Sequence, residues 1–415
     1  MRSSGMIWVI LILLILLDIY VFQALRHVTQ NWAARSRMIL FISYWLVSVL
    51  VAVVFVFMPA LGADNWPKAV RSYVFAIIVG LFFSKFVASI FFLVDDLRRG
   101  VQYTAGKVIP QAKAASPKEE EGISRSAFLS WLGLAAGSAL FGTLLYGFTN
   151  KYNYSIKRIK LAYDHLPAAF KGLKILHISD IHSGSFTDAM AVQKGIDRIL
   201  EQQPDIILFT GDLVNDRAVE MEPYKEIFAQ LKAPLGVYSV LGNHDYGDYY
   251  QWDSREAKEK NLSDIIQVHA DMGWRLLMNE HVVLERGGEQ IALIGIENWG
   301  AKANFPKYGS LPNAYKGAEQ HPFKILMSHD PSHWDAEVRQ AFKDIDLMLS
   351  GHTHGMQFGV EIPGFKWSPV QYIYKQWAGL YEAGRQKLYV NRGFGFIGYP
   401  GRVGILPEIT VLELV

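Results

Sequence analysis

The 415-residue chain contains no cysteine. That absence excludes disulfides, thiolate zinc sites, iron–sulfur clusters and cysteine nucleophiles. Any bound metal must therefore use His, Asp, Glu or Asn. Charge is also scarce: Asp, Glu, Lys and Arg make up 19% of the chain, against about 25% in a soluble domain. The 41 Lys and Arg nearly cancel the 39 Asp and Glu, so no nucleic-acid partner is expected. With 51% hydrophobic residues the chain is not a disordered one, and the apolar excess must be located.

It lies in the first 150 residues. Met6–Ala24 is apolar except for Asp18, Met38–Ala60 has no charge, Tyr73–Val94 has only Lys85, and Ala127–Phe148 has none. A bilayer core needs roughly 20 apolar residues per helix, and each run fits. The expected organisation is three transmembrane helices in 1–98, a polar cytoplasmic linker in 99–126, a fourth transmembrane helix in 127–150, and a globular domain in 151–415.

Orientation follows from Lys and Arg in the short loops. Arg26, Arg35 and Arg37 follow the first run, and Arg98, Arg99, Lys107, Lys113, Lys118 and Arg125 follow the third. These loops are expected in the cytoplasm, which leaves the globular domain on the opposite side of the membrane. Lys151, Lys157, Arg158 and Lys160, just past the fourth run, pull the other way. Ser124-Arg125-Ser126-Ala127-Phe128-Leu129 resembles a twin-arginine export signal with one arginine replaced by serine; the alternative is an ordinary basic flank. Asp18 and Lys85 each lie twelve positions into parallel spans, at similar depth. A charge at a helix centre costs about 2.5–3.5 kcal/mol on insertion scales, so the two are expected to pair. Gly133 and Gly137 form a GxxxG in the fourth run, a sign of close helix packing.

After Lys151 strand-like runs recur at Lys174–Ser179, Asp205–Thr210, Gly236–Leu241, Ile291–Ile296, Phe323–Ser328, Ile345–Ser350, Lys387–Asn391 and Ile409–Leu412. Amphipathic patterns at Thr187–Gln203, Glu222–Leu231 and Trp334–Phe342 lie between them. The class is α/β, with sheets covered by helices. Polar blocks follow five of the strands: Ser179-Asp180-Ile181-His182, Gly211-Asp212, Gly242-Asn243-His244-Asp245, His329-Asp330 and Gly351-His352-Thr353-His354. Ligands collect at the carboxyl ends of strands in α/β sheets. Any one block reads as an ordinary turn; five together bring Asp180, His182, Asp212, Asn243, His329, His352 and His354 to one edge. Seven oxygen and nitrogen donors are too many for one ion with an open position and suit two ions sharing a carboxylate.

These blocks resemble the calcineurin-like metallophosphoesterase pattern Asp-x-His, Gly-Asp, Gly-Asn-His-Asp/Glu, His, Gly-His-x-His, from about Leu173 onward. Gly379-Leu380-Tyr381-Glu382, Leu388-Tyr389-Val390-Asn391-Arg392-Gly393, Arg402 and Pro407-Glu408 are similar to the bacterial, membrane-associated branch near UDP-2,3-diacylglucosamine hydrolases. The resemblance implies a four-layer α/β/β/α sandwich, here preceded by four transmembrane helices. It implies that Asp180, His182 and His354 bind one ion, that Asn243, His329 and His352 bind a second, and that Asp212 bridges them. His244 would be the catalytic group near the leaving oxygen. Two departures are Met356, where the branch often has glycine, and the extra residue Asn215 after Gly-Asp.

The expected activity is metal-dependent phosphoester hydrolysis, on a phosphodiester or phosphomonoester that is lipid-linked if the anchor is a guide. Two divalent ions, Mn²⁺ first and then Zn²⁺ or Fe, would activate a water for in-line attack. His333, Arg392 and Arg402 are candidate substrate contacts, with a structural salt bridge as the alternative for the arginines. Tyr246, Tyr249, Tyr250 and Trp252, and Trp367, Tyr372, Tyr374 and Trp377, are read either as a lipid-facing entrance or as packing. A non-catalytic membrane receptor or scaffold is the competing class, and a transporter a third; loss of a ligand or of His244 would favour the scaffold, and none is lost.

Overall fold

The computed structural model describes residues 4–57, 66–108, 124–302 and 306–415. Two compact units divide the chain, one ending at Tyr146 and one running Gly147–Val415.

The first unit holds α1 (Ser4–Val28), α2 (Ala34–Phe57), α3 (Lys68–Val108) and α4 (Arg125–Gly147). All four are long and apolar enough to cross a membrane. Large side chains such as Trp8, Ile42, Leu46, Phe83 and Phe128 face outward, as expected of helices that are apolar on every side. Asp18 is buried and ion-paired with Lys85. Ser48 Oγ donates to its Oδ1 at 2.7 Å and Tyr44 OH at 3.0 Å. Gly133 and Gly137 bring α4 against α3: a Cβ on Gly137 would meet the Ser84 carbonyl at 2.6 Å, and one on Gly133 the Ala88 carbonyl at 2.8 Å. α3 continues through Val108, so the segment expected as linker begins as helix. Residues 109–123 of that segment, and 58–60 at the end of the second apolar run, lie outside the described residues.

The second unit is a sandwich of two six-stranded sheets. One has β1 (Ser155–Leu161), β2 (Lys174–Ile178), β3 (Ile206–Phe209), β4 (Val237–Ser239), β5 (Arg275–Leu276) and β14 (Glu408–Leu414), in the order β1-β14-β2-β3-β4-β5. The other has β6 (Glu280–Arg286), β7 (Glu289–Gly295), β8 (Lys324–Met327), β9 (Leu347–Ser350), β12 (Gly379–Ala383) and β13 (Gln386–Val390), in the order β12-β13-β9-β8-β7-β6. A separate hairpin pairs β10 (Val360–Ile362) with β11 (Phe365–Trp367).

Strand periodicity sets the layers. Ile175, Ile206 and Leu208 point between the sheets and meet Leu293, Ile325, Met327, Leu347 and Leu349. Their neighbours Leu176, Ile207 and Phe209 point outward, against Val192, Ile196 and Ile199 of α5 (Ala189–Leu200), Phe228 of α6 (Lys225–Phe228), and Ile265 and Val268 of α7 (Arg255–Asp271). On the far face Ile294, Leu326 and Met348 pack on Leu311, Trp334 and Val338. The result is the expected α/β/β/α order.

The eight expected strands are all present. β1, β5, β6, β12 and the hairpin were not anticipated, nor was α7, whose apolar stripe is diluted by charge. The Glu222–Leu231 pattern shortens to α6, and Trp334–Phe342 becomes a π-helical turn and a three-residue helix. Lys157, Arg158 and Lys160 sit on β1, at the sheet edge, where charge blunts strand addition.

Candidate metal centre

Five strand ends converge. β2 leads to Asp180 and His182, β3 to Asp212, β4 to Asn243 and His244, β8 to His329, and β9 to His352 and His354. Asp180, His182, Asp212, His352 and His354 all adopt positive φ, between 48° and 72°. Non-glycine residues hold that region only when their surroundings over-determine it, and here the turns aim side chains inward from each strand. Gly351 permits the approach, since a Cβ there would overlap Ser179 and Asp180.

The donors form two clusters, Asp180–His182–His354 and Asp212–His329–His352, with the ligand atoms of each within 4.8 Å of one another. In the first, His182 Nε2 lies 3.0 Å from His354 Nε2, which lies 3.2 Å from Asp180 Oδ1. In the second, His352 Nδ1 lies 3.3 Å from His329 Nε2 and 2.9 Å from Asn243 Oδ1. Asp212 Oδ2 sits between the clusters, 3.4 Å from His182 Nε2 and 3.2 Å from His329 Nε2. Imidazole nitrogens this close repel unless a proton or cation lies between them, and an all-oxygen-and-nitrogen donor set fits a borderline divalent metal. The residues present therefore fit the pair of ions that the family implies.

Electrostatics agree. Burial pushes the Asp180 and Asp212 carboxylates up, but the surrounding imidazoles outweigh it and hold both well below their usual range. Burial pulls His182 and His352 down. It also pulls on His329, but the Asp212 carboxylate prevails and lifts it to about 10; without a cation, a proton balances that carboxylate.

Surrounding groups fix each ring. His329 Nδ1 donates to the Thr210 carbonyl at 2.7 Å, which leaves Nε2 for the cluster. His352 is turned the other way, with Nε2 at 2.9 Å from Tyr374 OH, itself 3.4 Å from Asp330. Such outer partners orient ligands and tune their basicity. Asn243 Nδ2 donates to Tyr249 OH at 2.9 Å, which aims the amide oxygen at His352. His244 Nδ1 donates to the Asn215 carbonyl at 2.7 Å, so Nε2 is its free atom. The extra residue at 215 thus carries the acceptor that orients this ring. A cavity of about 250 Å³ is lined by His182, Asp212, His244, Tyr249, His354 and Ile397, among others.

All eight residues expected at the site come together here. The three candidate substrate contacts, His333, Arg392 and Arg402, are each engaged by protein groups, and Arg402 lies against the centre with Nη2 3.3 Å from His354 Nδ1. His333 is buried between Ser328 and Glu337, at 3.0 and 2.8 Å. Arg392 is ion-paired with Glu408 and Glu361. Arg402 is fully buried and donates to the carbonyls of Arg392, Gly393, Gly395 and His354. Of the aromatics, Tyr374 and Trp377 are buried beside the site, while Tyr372 is exposed.

Asp245 carried no role in the sequence reading. Its carboxylate accepts backbone N–H bonds from Asp212, Leu213, Val214 and Gly242 at 2.8–3.2 Å. Burial and the nearby Asp212 charge raise it to about 7 against those bonds. It ties the Asp212 loop to the Asn243 loop, and its place at the end of the Gly-Asn-His-Asp block was the available signal.

Comparison with known proteins agrees with this geometry. Residues 173–356 match the model for calcineurin-like phosphoesterases, and residues 1–151 match the model described as a probable calcineurin-like phosphoesterase transmembrane domain. The chain is 30% identical to the uncharacterized metallophosphoesterase YkuE of Bacillus subtilis, over 60% of this chain and 81% of that one. It is 28% identical to a zebrafish (Danio rerio) transmembrane protein with metallophosphoesterase domain, over 74% of this chain and 67% of that one. It is 29% identical to the phosphodiesterase YaeI of Escherichia coli, over 58% and 82%. The chain belongs to the calcineurin-like metallophosphoesterase family, in a form joined to membrane-spanning helices.

Proposed function

We propose that the protein is a dinuclear-metal phosphoesterase, anchored in a bacterial inner membrane, that hydrolyses a phosphodiester or phosphomonoester on the extracytoplasmic side. The observation that carries this is Asp212 Oδ2, set between two donor clusters at 3.4 and 3.2 Å. Asp180, His182 and His354 would hold one ion and Asn243, His329 and His352 the other, with Asp212 shared. Bound divalent ions, Mn²⁺, Zn²⁺ or Fe²⁺, would supply an activated water and neutralise charge on the phosphoryl oxygens.

The chain's own residues supply the rest. With Nδ1 tied to the Asn215 carbonyl, His244 presents Nε2 to the cavity and, when protonated there, donates to the leaving oxygen. The backbone N–H of His244 donates to Asp212 Oδ1 at 2.9 Å, which couples that ring's position to the shared carboxylate. Tyr249 and Ile397 wall the cavity. The phosphodiesterase named among the relatives makes a diester the first substrate to try. Basic residues in the loops after the first and third spans support an outward-facing domain.

Purified full-length protein, reconstituted with each metal, should hydrolyse bis(para-nitrophenyl) phosphate. Asp212→Asn should lose bound metal, whereas His244→Asn should keep it and lose about 10²–10³ in turnover, the usual worth of one such group. No turnover with any of the three metals would overturn the reading.

A further inference from the structure

The β10–β11 hairpin is built inside out. Its register pairs Val360 with Trp367, Glu361 with Lys366, and Ile362 with Phe365. Alternation therefore places Val360, Ile362, Phe365 and Trp367 on one face and Glu361 and Lys366 on the other. The charged face carries the attachments to the body of the unit, although Lys366 itself stays exposed. Glu361 pairs with Arg392 at 2.9 Å and Lys157 at 3.3 Å, and Lys366 reaches the Ala378 carbonyl and, at 3.3 Å, Tyr381 OH. Three of the four apolar residues are left open, Val360 at 44% exposure, Ile362 at 58% and Phe365 at 55%, while Trp367 is half-buried. Trp367 Nε1 lies 3.5 Å from the hydroxyl of Tyr372, and Tyr372 and Ile373 extend the patch at 78% and 52%. A contiguous apolar patch of this kind marks an interaction surface.

Three observations name its occupant as a lipid surface. First, the chain enters this unit at Gly147, the last residue of a membrane-crossing helix. That entry point is tied to the hairpin's base: Arg402 N donates to the Gly147 carbonyl at 2.9 Å, and adjacent Val403 bridges Phe358, two residues before β10. Second, the patch combines aliphatic and Phe side chains with Trp367, Tyr372 and the exposed Lys375, the residue types that occupy the membrane–water interface. Third, the patch shares its segment with the metal centre. Tyr374, next to Ile373, touches His352, and Ser368, next to Trp367, bonds the Gly355 carbonyl beside His354 at 2.8 Å.

We propose that the open face of this hairpin, with Tyr372 and Ile373, inserts into the bilayer surface and holds the mouth of the metal centre there. Resting on the phosphoesterase reading above, this makes the preferred substrate an amphiphilic phosphoester resident in the membrane rather than a freely soluble one.

The absence of cysteine permits a clean test with the full-length chain in nanodiscs of phosphatidylethanolamine and phosphatidylglycerol. Single variants Phe365→Cys and Met190→Cys, the latter an exposed site on α5, carry an environment-sensitive NBD probe. Adding doxyl-labelled lipid should quench the 365 probe by about twofold or more and leave the 190 probe unchanged, as for a side chain held at the acyl boundary. Equal response of the two probes, or protection of the 365 probe without lipid quenching as a second copy of the chain would give, overturns the proposal. In parallel, I362D/F365D should keep turnover of bis(para-nitrophenyl) phosphate and lose about tenfold on a fluorogenic diacylglycerol phosphodiester in the same discs, a loss equal to roughly 1.4 kcal/mol. Equal loss on both substrates also overturns it. If the unaltered protein hydrolyses neither ester, the phosphoesterase reading fails while the quenching measurement still decides docking.

Discussion

Breaking the Asp18–Lys85 pair offers the sharpest test of the membrane unit. The two charges sit on α1 and α3, and the pair is nearly closed to its surroundings, with side-chain exposures of 8% and 13%. Removing one member of a buried pair costs about 3–5 kcal/mol, because the other charge is stranded. The two removals should be unequal. In Lys85→Met, Asp18 keeps the Ser48 and Tyr44 hydroxyls as donors at 2.7 and 3.0 Å, which puts the cost near the lower figure. In Asp18→Leu, the Lys85 ammonium keeps, among the described residues, Ser48 Oγ at 3.2 Å and the Tyr44 ring at 5.3 Å, which puts it near the upper one. The double variant Asp18→Leu/Lys85→Met removes both charges and should cost about 1 kcal/mol or less, since an apolar replacement of a buried pair is often neutral. The coupling energy in the double-mutant cycle should then be about 7 kcal/mol in magnitude. A cysteine pair introduced on α1 and α3, labelled with donor and acceptor dyes, reports their separation as SDS is titrated into full-length protein in micelles. Additive single costs, with coupling under about 0.5 kcal/mol, would refute the reasoning.

Two further predictions concern the stability of the fold. Burial holds the imidazoles of His177 and His269 down at about 4 and about 3, below the unfolded value near 6.5. Their contribution is complete above pH 6.5 and is lost as pH falls toward 4, at up to about 1.4 kcal/mol per pH unit for each, because only the unfolded chain takes up the protons. Asp245, raised to about 7, titrates in the opposite sense over the same range, so the test is a difference. The gap in stability between the unaltered protein and His269→Phe should change by up to about 1.4 kcal/mol per pH unit as pH falls from about 6.5 to 4, and a pH-independent gap would count against the burial argument. In the membrane unit, Gly137→Leu should destabilise by about 1–3 kcal/mol through overpacking against α3. Gly142→Leu, where an added Cβ meets nothing within 4 Å, should leave the melting temperature unchanged.

The metal cluster and the strands beneath it are legible in the sequence for one physical reason. Parallel strands buried on both faces must be short and wholly apolar, so Ile206–Phe209 or Leu347–Ser350 stands out, and the polar residue that follows marks where the chain leaves the core. Ligand chemistry narrows the choice further, because few residue types can serve. Asp18 and Lys85 were legible by the same economy: a charge in lipid needs a partner, and depth along the helix names it.

The supports were illegible because their roles depend on a partner chosen by the fold. Asp245 is one carboxylate among many until β3 and β4 lie side by side and its oxygens meet four N–H groups from two loops. Arg392 and Arg402 illustrate the converse. Arginines among glycines near a phosphoester site read equally as phosphate binders or as structural ion pairs, and the chain folds Glu408, Glu361 and a set of carbonyls around them. Buried guanidinium must be paired, and here protein groups do the pairing. The β10–β11 hairpin makes the point most strongly. Val-Glu-Ile and Phe-Lys-Trp alternate as any half-buried hairpin would, and the default expectation puts the apolar face inward. Which face turns inward was decided by Arg392, Lys157 and the Ala378 carbonyl, none of them near in sequence to Glu361 or Lys366. These polar attachments outweigh the exposure of Val360, Ile362 and Phe365 only if that face is not left in water, which is the reason the hairpin calls for a covering surface.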